Sequence, residues 1–171
     1  MLDRQLRDLI EDHAAAVYHV AYGVLHDRGL AEDVVQETMI KAWENQDSFR
    51  GDSSVRTWVL RIAHNSAIDA LRRRRDQATA PEDLPDAPGG GADTDPARRA
   101  AGREDLEQLR DALGGLDELS RSIVVLREVE GMSYQQIAEA LDLPIATVKT
   151  RLLRARRVLH TAVRGRERGA G

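Results

Sequence analysis

Residues Ser133 to Leu159 read SYQQIAEALDLPIATVKTRLLRARRVL, and the spacing within this stretch decides the fold. Ser133 with Gln136 fits a capping box, in which a serine hydroxyl and a glutamine amide satisfy the free donors at a helix start. The helix it opens runs through Leu141. Asp142-Leu143-Pro144 then breaks it, since proline has no amide proton and restricts the residue before it. A second helix begins near Ile145. Ile137, Ala138 and Leu141 are predicted to pack against Val148 and Leu152, with the small Ala138 allowing close approach. Lys149, Arg151, Arg154, Arg156 and Arg157 lie off that apolar stripe. A short capped helix, a tight turn and a longer basic helix make a helix-turn-helix. A helix fits the major groove, and long cationic side chains reach phosphates and guanine edges. A solvated amphipathic helix on an ordinary bundle needs all three features to coincide by chance.

Outward from this stretch the chain stays helical. Glu118 to Glu130 is a predicted helix with Gly131 as its natural C′ residue, and Glu104 to Leu113 is another. Before them, Gln77 to Pro96 holds Pro81, Pro85, Pro88, Pro96 and Gly89-Gly90-Gly91, a composition expected to be a mobile linker. In the first half, Asp3 is expected to cap a helix with Leu6, Leu9, Ile10, Ala14, Val17, Ala21 and Val24 at the 3.6 period. A second helix spans about Gly29 to Glu44, with Leu30, Val34, Val35, Met39, Ala42 and Trp43 toward the core. Asn45 to Asp52 is a loop. Ser53 or Ser54 caps a long helix to Arg75 whose apolar set is Val55, Trp58, Val59, Ile62, Ala63, Ala67, Ile68 and Leu71.

Composition agrees with an all-α reading. Of 171 residues, 42% are hydrophobic and only 4% aromatic, so the core must come from Leu, Val, Ile and Ala, which suits packed helices. There is no cysteine, which excludes disulfides, thiolate metal sites and cysteine nucleophiles. No stretch of about 18 apolar residues occurs, and a soluble, cytoplasmic protein without membrane insertion is expected. The net charge of −4 hides a segregation: Ile145 to Arg168 carries eight basic residues against Glu167 alone, while Asp76 to Pro96 carries six acids and no Lys or Arg. Phosphate binding follows the local field and not the total. Enzyme readings fail on inventory. None of His13, His19, His26, His64 and His160 sits in a metal or catalytic spacing, and Gly89 to Gly91 lack the Lys-Ser/Thr of a phosphate loop. No cofactor and no metal are expected.

The stretch LDELSRSIVVLREVEGMSYQQIAEALDLPIATVKTRLLRARRVL, Leu116 to Leu159, resembles region 4 of the sigma-70 family in its extracytoplasmic-function (ECF) group. LAEDVVQETMIKAWEN (Leu30 to Asn45) and SFRGDSSVRTWVLRIAHNSAIDALRRRR (Ser48 to Arg75) resemble region 2 of the same family. The resemblance implies two small helical domains, region 2 over residues 1–76 and region 4 over 103–165, joined by a flexible acidic linker over 77–102 and followed by a tail over 166–171. It further implies a promoter-recognition subunit that binds core RNA polymerase at its clamp and flap, reads −10 and −35 promoter DNA, and answers to an anti-sigma factor. The linker would thread along polymerase channels, its charge serving either as a nucleic-acid mimic or as a plain solvated spacer. The family turn often has Gly where this chain has Asp142, a residue that tolerates left-handed backbone better than most.

Site residues follow from both lines of reasoning. Asp33, Gln36 and Glu37 are polar neighbours on one helix face with Lys41 four residues after Glu37, and the resemblance favours their contact with the polymerase clamp. Phe49, Arg50, Ser53, Asn65, Asp69, Arg72 and Arg73 are expected at −10 DNA, because a reader of unstacked bases needs an apolar wall and groups that bond base edges. Thr147, Lys149, Arg151, Arg154 and Arg157 are expected at the −35 element. Trp58 and Trp43 read as core residues, and His64 as a surface or packing histidine more than a DNA contact. Two other readings stand beside this one. A stand-alone helix-turn-helix repressor or activator leaves Ser48 to Arg75 unexplained, and a pure protein adaptor leaves the basic helix unexplained.

Overall fold

The computed structural model describes residues 2–77 and 111–169. The Pro/Gly-rich linker, most of the segment Glu104 to Leu113, and the last two residues of the tail lie outside the described residues. Among the described residues every regular element is helical.

The first domain comprises α1 (Leu2–Glu11), α2 (Ala14–Leu25), α3 (Arg28–Glu44), a single 3-10 turn (Gln46–Ser48) and α4 (Val55–Gln77). α2, α3 and α4 pack mutually, and α1 lies across α3 and α4. The expected single helix from Asp3 to Val24 is two helices, because the chain turns at Asp12-His13. Asp3 is therefore inside α1 and not its cap. The break lets α1 lean on α3 and α4 while α2 runs through the centre of the molecule. α2 buries Ala16, Val17, Val20, Ala21, Val24 and Leu25, the all-round apolar coat of a helix enclosed on several sides. Asp27 caps α3, its Oδ1 accepting from the Leu30 amide at 2.9 Å. Ser54 fills the cap position before α4, with its Oγ accepting from the Thr57 amide at 3.1 Å. Trp43 departs from the core reading. It stands half-buried at the surface with the Arg7 guanidinium 4.5 Å over its ring. Trp58 does pack on the core.

The second domain comprises α5 (Glu118–Val124), a π-turn (Val125–Val129), α6 (Tyr134–Leu141) and α7 (Ile145–Gly169). Asp117 caps α5 through the Ser120 amide at 2.7 Å. The expected helix to Glu130 widens at Val125, where the Glu130 amide reaches back five residues to the Val125 carbonyl. Gly131 takes φ 65°, and the Met132 amide closes on the Leu126 carbonyl at 3.0 Å, one residue further back than a Schellman bond reaches. The capping box of Ser133 and Gln136 is complete, with both reciprocal bonds formed. Ile137, Ala138, Val148 and Leu152 are buried together, and α6 packs on α7. α7 continues through Gly165 to Gly169, past the expected end of the domain. One glycine among helix-forming Arg and Ala neighbours costs only about 1 kcal/mol, too little to stop a helix already propagating.

The two domains are docked. α2 contacts α5 and the π-turn, and α4 contacts α6. Ile10, Val17, Val20, Val59, Leu60 and Ala63 of the first domain join Ile123, Leu126, Met132 and Ile137 of the second in one continuous apolar cluster.

Candidate nucleic-acid interface

α4 carries the candidate −10 face. Trp58, Asn65, Asp69 and Arg72 recur at spacings of seven, four and three, which align them on one side of a helix. Asn65, Asp69 and Arg72 are all exposed. Above them, Phe49 rests on Trp58 with ring centroids 5.3 Å apart, giving the stripe an aromatic upper end. Arg50 is exposed and Ser53 half-buried in the loop before α4. The Ser53 hydroxyl is spent on the neighbouring Ser54 carbonyl at 3.4 Å. Arg73 turns off the stripe toward α3, where it lies 3.5 Å from Glu37.

That pair ties the −10 face to the candidate clamp surface. Glu37 also accepts from Lys41 at 2.6 Å, and Lys41 donates to the buried Ser66 hydroxyl at 3.2 Å. The Lys41 hydrogen bond, helped by Arg73, holds the Glu37 carboxyl below the usual range although partial burial opposes it. Asp33 and Gln36 are exposed, while Glu37 and Lys41 are half-buried. The four residues expected together thus divide into an open pair and an internally satisfied pair.

The −35 candidates divide as well. Thr147, Arg151 and Arg154 line one shallow depression with Asp117, Ser120 and Thr150. Lys149 projects from the other side of α7, with its ammonium 5.9 Å from the Tyr134 ring. Arg157 borders a separate groove with Leu153 and His160. Arg151 is half-occupied at home, donating to Asp117 at 2.7 Å and to Ser120 at 3.3 Å. Burial works against the Asp117 charge, but the Ser120 amide and hydroxyl and the Arg151 guanidinium outweigh it and lower the carboxyl's pKa. Arg156 is paired with Glu128. Arg154 and Arg157 are exposed and make no ion pair among the described residues.

The sequence reading missed the groups that join the domains. Arg121 is 8% exposed. Its Nε, Nη2 and Nη1 donate, each at 2.9 Å, to the carbonyls of Gly23, Val24 and Leu116. Glu130 accepts from Arg56 at 2.8 Å and lies 2.6 Å from His19 Nδ1. Arg61 Nε donates to the Glu139 carbonyl at 3.1 Å. His64 is buried with Nδ1 2.9 Å from the Ser122 hydroxyl, and burial lowers its pKa to about 4. His64 is therefore an interdomain packing residue, not a DNA contact. No periodicity or motif marks these pairs, because each joins residues far apart in the chain.

A helical bundle beside a helix-turn-helix with exposed arginines defines a helical protein of the DNA-binding class. Comparison with known families settles which. The sigma-70 region 2 model matches residues 9–77, and the sigma-70 region 4 model matches residues 106–159. The RNA polymerase sigma-H factor of Pseudomonas aeruginosa is 38% identical over 146 residues, covering 81% of this chain and 76% of that protein. The ECF RNA polymerase sigma-E factor of Haemophilus influenzae is 37% identical over 138 residues, covering 77% and 73%. Among solved structures, the sigma factor RpoE of Bartonella quintana, in complex with the anti-sigma factor NepR, superposes with a TM-score of 0.74 at 27% identity, covering 92% of this chain and 98% of that one. CnrH in complex with the cytosolic domain of CnrY gives 0.69 at 29% identity, covering 95% and 89%. The chain belongs to the sigma-70 family of RNA polymerase sigma factors, in its ECF group.

Proposed function

We propose that this chain binds core RNA polymerase through α3, melts and reads −10 DNA along the outer face of α4, and reads the −35 element with the start of α7. Asp33 and Gln36 form the open part of the clamp surface, with Glu37 and Lys41 as its internally braced part. Phe49, Arg50, Ser53, Asn65, Asp69, Arg72 and Arg73 serve the −10 element, and Thr147, Lys149, Arg151, Arg154 and Arg157 the −35 element. The domain limits are residues 1–76 and 103–165, joined by an acidic linker over 77–102. The observation that carries the reading is the stripe on α4, where an aromatic pair sits above Asn65, Asp69 and Arg72 on one exposed face. That is the equipment for holding a base outside its stack. Catalysis belongs to the polymerase, the site of action is the cytoplasm, and an anti-sigma factor controls access, as the complexes of the two solved relatives suggest.

The test is transcription with purified core polymerase. Asn65→Ala with Asp69→Ala should impair initiation on a duplex promoter and be largely rescued on a template with a premelted −10 bubble. Equal activity of variant and wild type on duplex promoters would remove these residues from the reader. Asp33→Lys with Gln36→Lys should weaken core binding with helicity intact, because reversed charge meets a basic partner. Unchanged co-purification with core would overturn the clamp assignment.

A further inference from the structure

The cap of α5 uses only one oxygen of Asp117. Oδ1 accepts from the Ser120 amide at 2.7 Å, and that bond meets the need of the helix start, which asparagine or serine would serve as well. Oδ2 is turned to the other side, where it accepts from Arg151 Nη1 at 2.7 Å. The same nitrogen reaches the Ser120 hydroxyl at 3.3 Å. The second oxygen and the negative charge are surplus to the cap. They also add little to stability, since an ion pair open to water contributes little, and 54% of the Asp117 side chain and 33% of the Arg151 side chain face solvent.

The pair stands where DNA is expected. Arg151 lies within two turns of the start of α7 and lines the shallow depression with Thr147, Thr150 and Arg154. From Ile145 to Arg168 the chain carries eight basic residues against one acid, and Asp117 brings a carboxylate from another helix into that field. Carboxylate and phosphate oxygens both accept charge-assisted bonds from a guanidinium, at about 2.7–2.9 Å. With its charge already met by Asp117, Arg151 releases no counterion from a phosphate. We propose that Asp117 is a restraint on −35 binding: it occupies Arg151 as a DNA phosphate would, and so lowers the affinity of α7 for duplex DNA of every sequence. Asp117 is a positioning residue that acts through Arg151, and its role rests on the −35 reading of α7 proposed above. Phosphate contacts carry no sequence information. Withholding one weakens all sites alike and leaves discrimination to the side chains that reach bases. Weak sequence-independent binding keeps the chain off the large excess of non-specific sites in a genome and free for the polymerase.

Asp117→Asn keeps the capping oxygen and removes the charge. Fluorescence anisotropy of the free full chain on a labelled duplex of random sequence, across a series of salt concentrations, reads the effect, because Lys149, Arg154 and Arg157 of α7 are exposed in that chain. Asp117→Asn should bind more tightly than wild type and steepen the fall of log K with log salt by about 0.9, the signature of one further phosphate contact. Its advantage should accordingly shrink about threefold between about 50 and 200 mM salt. In an Arg151→Ala background the same change should give a smaller gain and no added slope. Helicity by circular dichroism should be retained in all of these chains. An unchanged slope for Asp117→Asn, or no duplex binding by it at low salt, overturns the restraint. So does an equal gain with and without Arg151, which would make Asp117 a plain source of repulsion. If Asp117→Asn gains its contact through Arg151 but holoenzymes made with wild type and variant start at no promoter, the restraint stands and the promoter reading falls.

Discussion

The second domain has two faces that use the same residue types for opposite ends. On the inner face Arg121, Ile123 and Leu126 are buried, and each nitrogen of the guanidinium donates to a backbone carbonyl. On the outer face Arg154 and Arg157 stand in solvent, beside Leu153 at 53% exposure. An arginine taken out of water is costly unless its donors are met, so Arg121 can only be structural. An exposed arginine without an ion pair costs nothing to present and is open to phosphate or guanine. Burial and pairing, not residue type, separate the groups that hold the fold from those that face a partner.

The widest test of this contrast compares two leucines. Leu126 is fully buried in the cluster that joins both domains, so Leu126→Ala should cost about 2–5 kcal/mol through lost transfer and a residual cavity. Leu153→Ala, on the outer face, should fall within about 0.5 kcal/mol of wild type. Denaturant unfolding of both variants measures the difference. Equal losses would mean that the outer face is covered in solution.

A pH series probes a buried group of the inner face. Unfolded, His64 takes a proton near its ordinary 6.5; folded, burial delays this to about 4. Between those values the folded chain binds fewer protons, so stability present above pH 6.5 falls as the pH drops toward 4. The full loss from this group is up to about 3 kcal/mol at about 1.4 kcal/mol per pK unit. His13, lowered by its burial and by Arg56 with Asp12 opposing, acts in the same direction. His64→Gln keeps a polar group toward Ser122 and removes the titration, so its unfolding curve should be flatter with pH over this window. Curves that coincide for variant and wild type would remove His64 from the acid response.

The outer face yields a smaller effect. Arg154→Ala should cost about 1–3 kcal/mol at one −35 position if the guanidinium bonds a guanine, and an even loss with a lower salt dependence if it meets phosphate. Transcription from a set of −35 single-base variants separates the two. Arg151→Ala should be the milder change at the DNA, because Arg151 already bonds Asp117 and Ser120. If Arg154→Ala is silent and Lys149→Ala damaging, the groove-facing side of α7 is the one over Tyr134.

What was legible in the sequence were features set by neighbours in the chain. The Ser133–Gln136 box, Gly131 past its helix and the turn before Pro144 are local chemistry, and each stands where the spacing put it. The apolar stripes of α4 and α6 followed from period alone. The break at Asp12-His13 did not, since neither proline nor glycine marks it and only the packing of α1 against α3 and α4 requires it. Nor did the position of Trp43, whose helical spacing resembles a core residue although its ring lies under Arg7. Docking was out of reach for the same reason: Gly23, Arg121 and Glu130 look ordinary until distant segments are brought together. Sequence also set Glu37 and Arg73 in different functional groups, whereas the fold places them side by side.

The smallest expected effect concerns the turn between α6 and α7, where local chemistry and function meet. Asp142 ends α6 at φ 54°, ψ 55°, a left-handed conformation that costs an ordinary L-residue roughly 1–2 kcal/mol and aspartate less. Glycine relieves that strain but adds entropy to the unfolded chain. It also removes a negative charge from just before the α7 N-terminus, which is worth roughly 0.3–1 kcal/mol at an exposed site. The three terms nearly cancel, so Asp142→Gly should lie within about 0.5 kcal/mol of wild type. Asp142→Asn keeps the left-handed tolerance and loses only the charge, so it should fall slightly below wild type. Asp142→Val, which resists positive φ most, should cost at least 1 kcal/mol. Thermal unfolding of the three variants ranks them. Asp142→Gly less stable than Asp142→Asn would show that the entropy glycine adds to the unfolded chain outweighs the backbone strain it relieves.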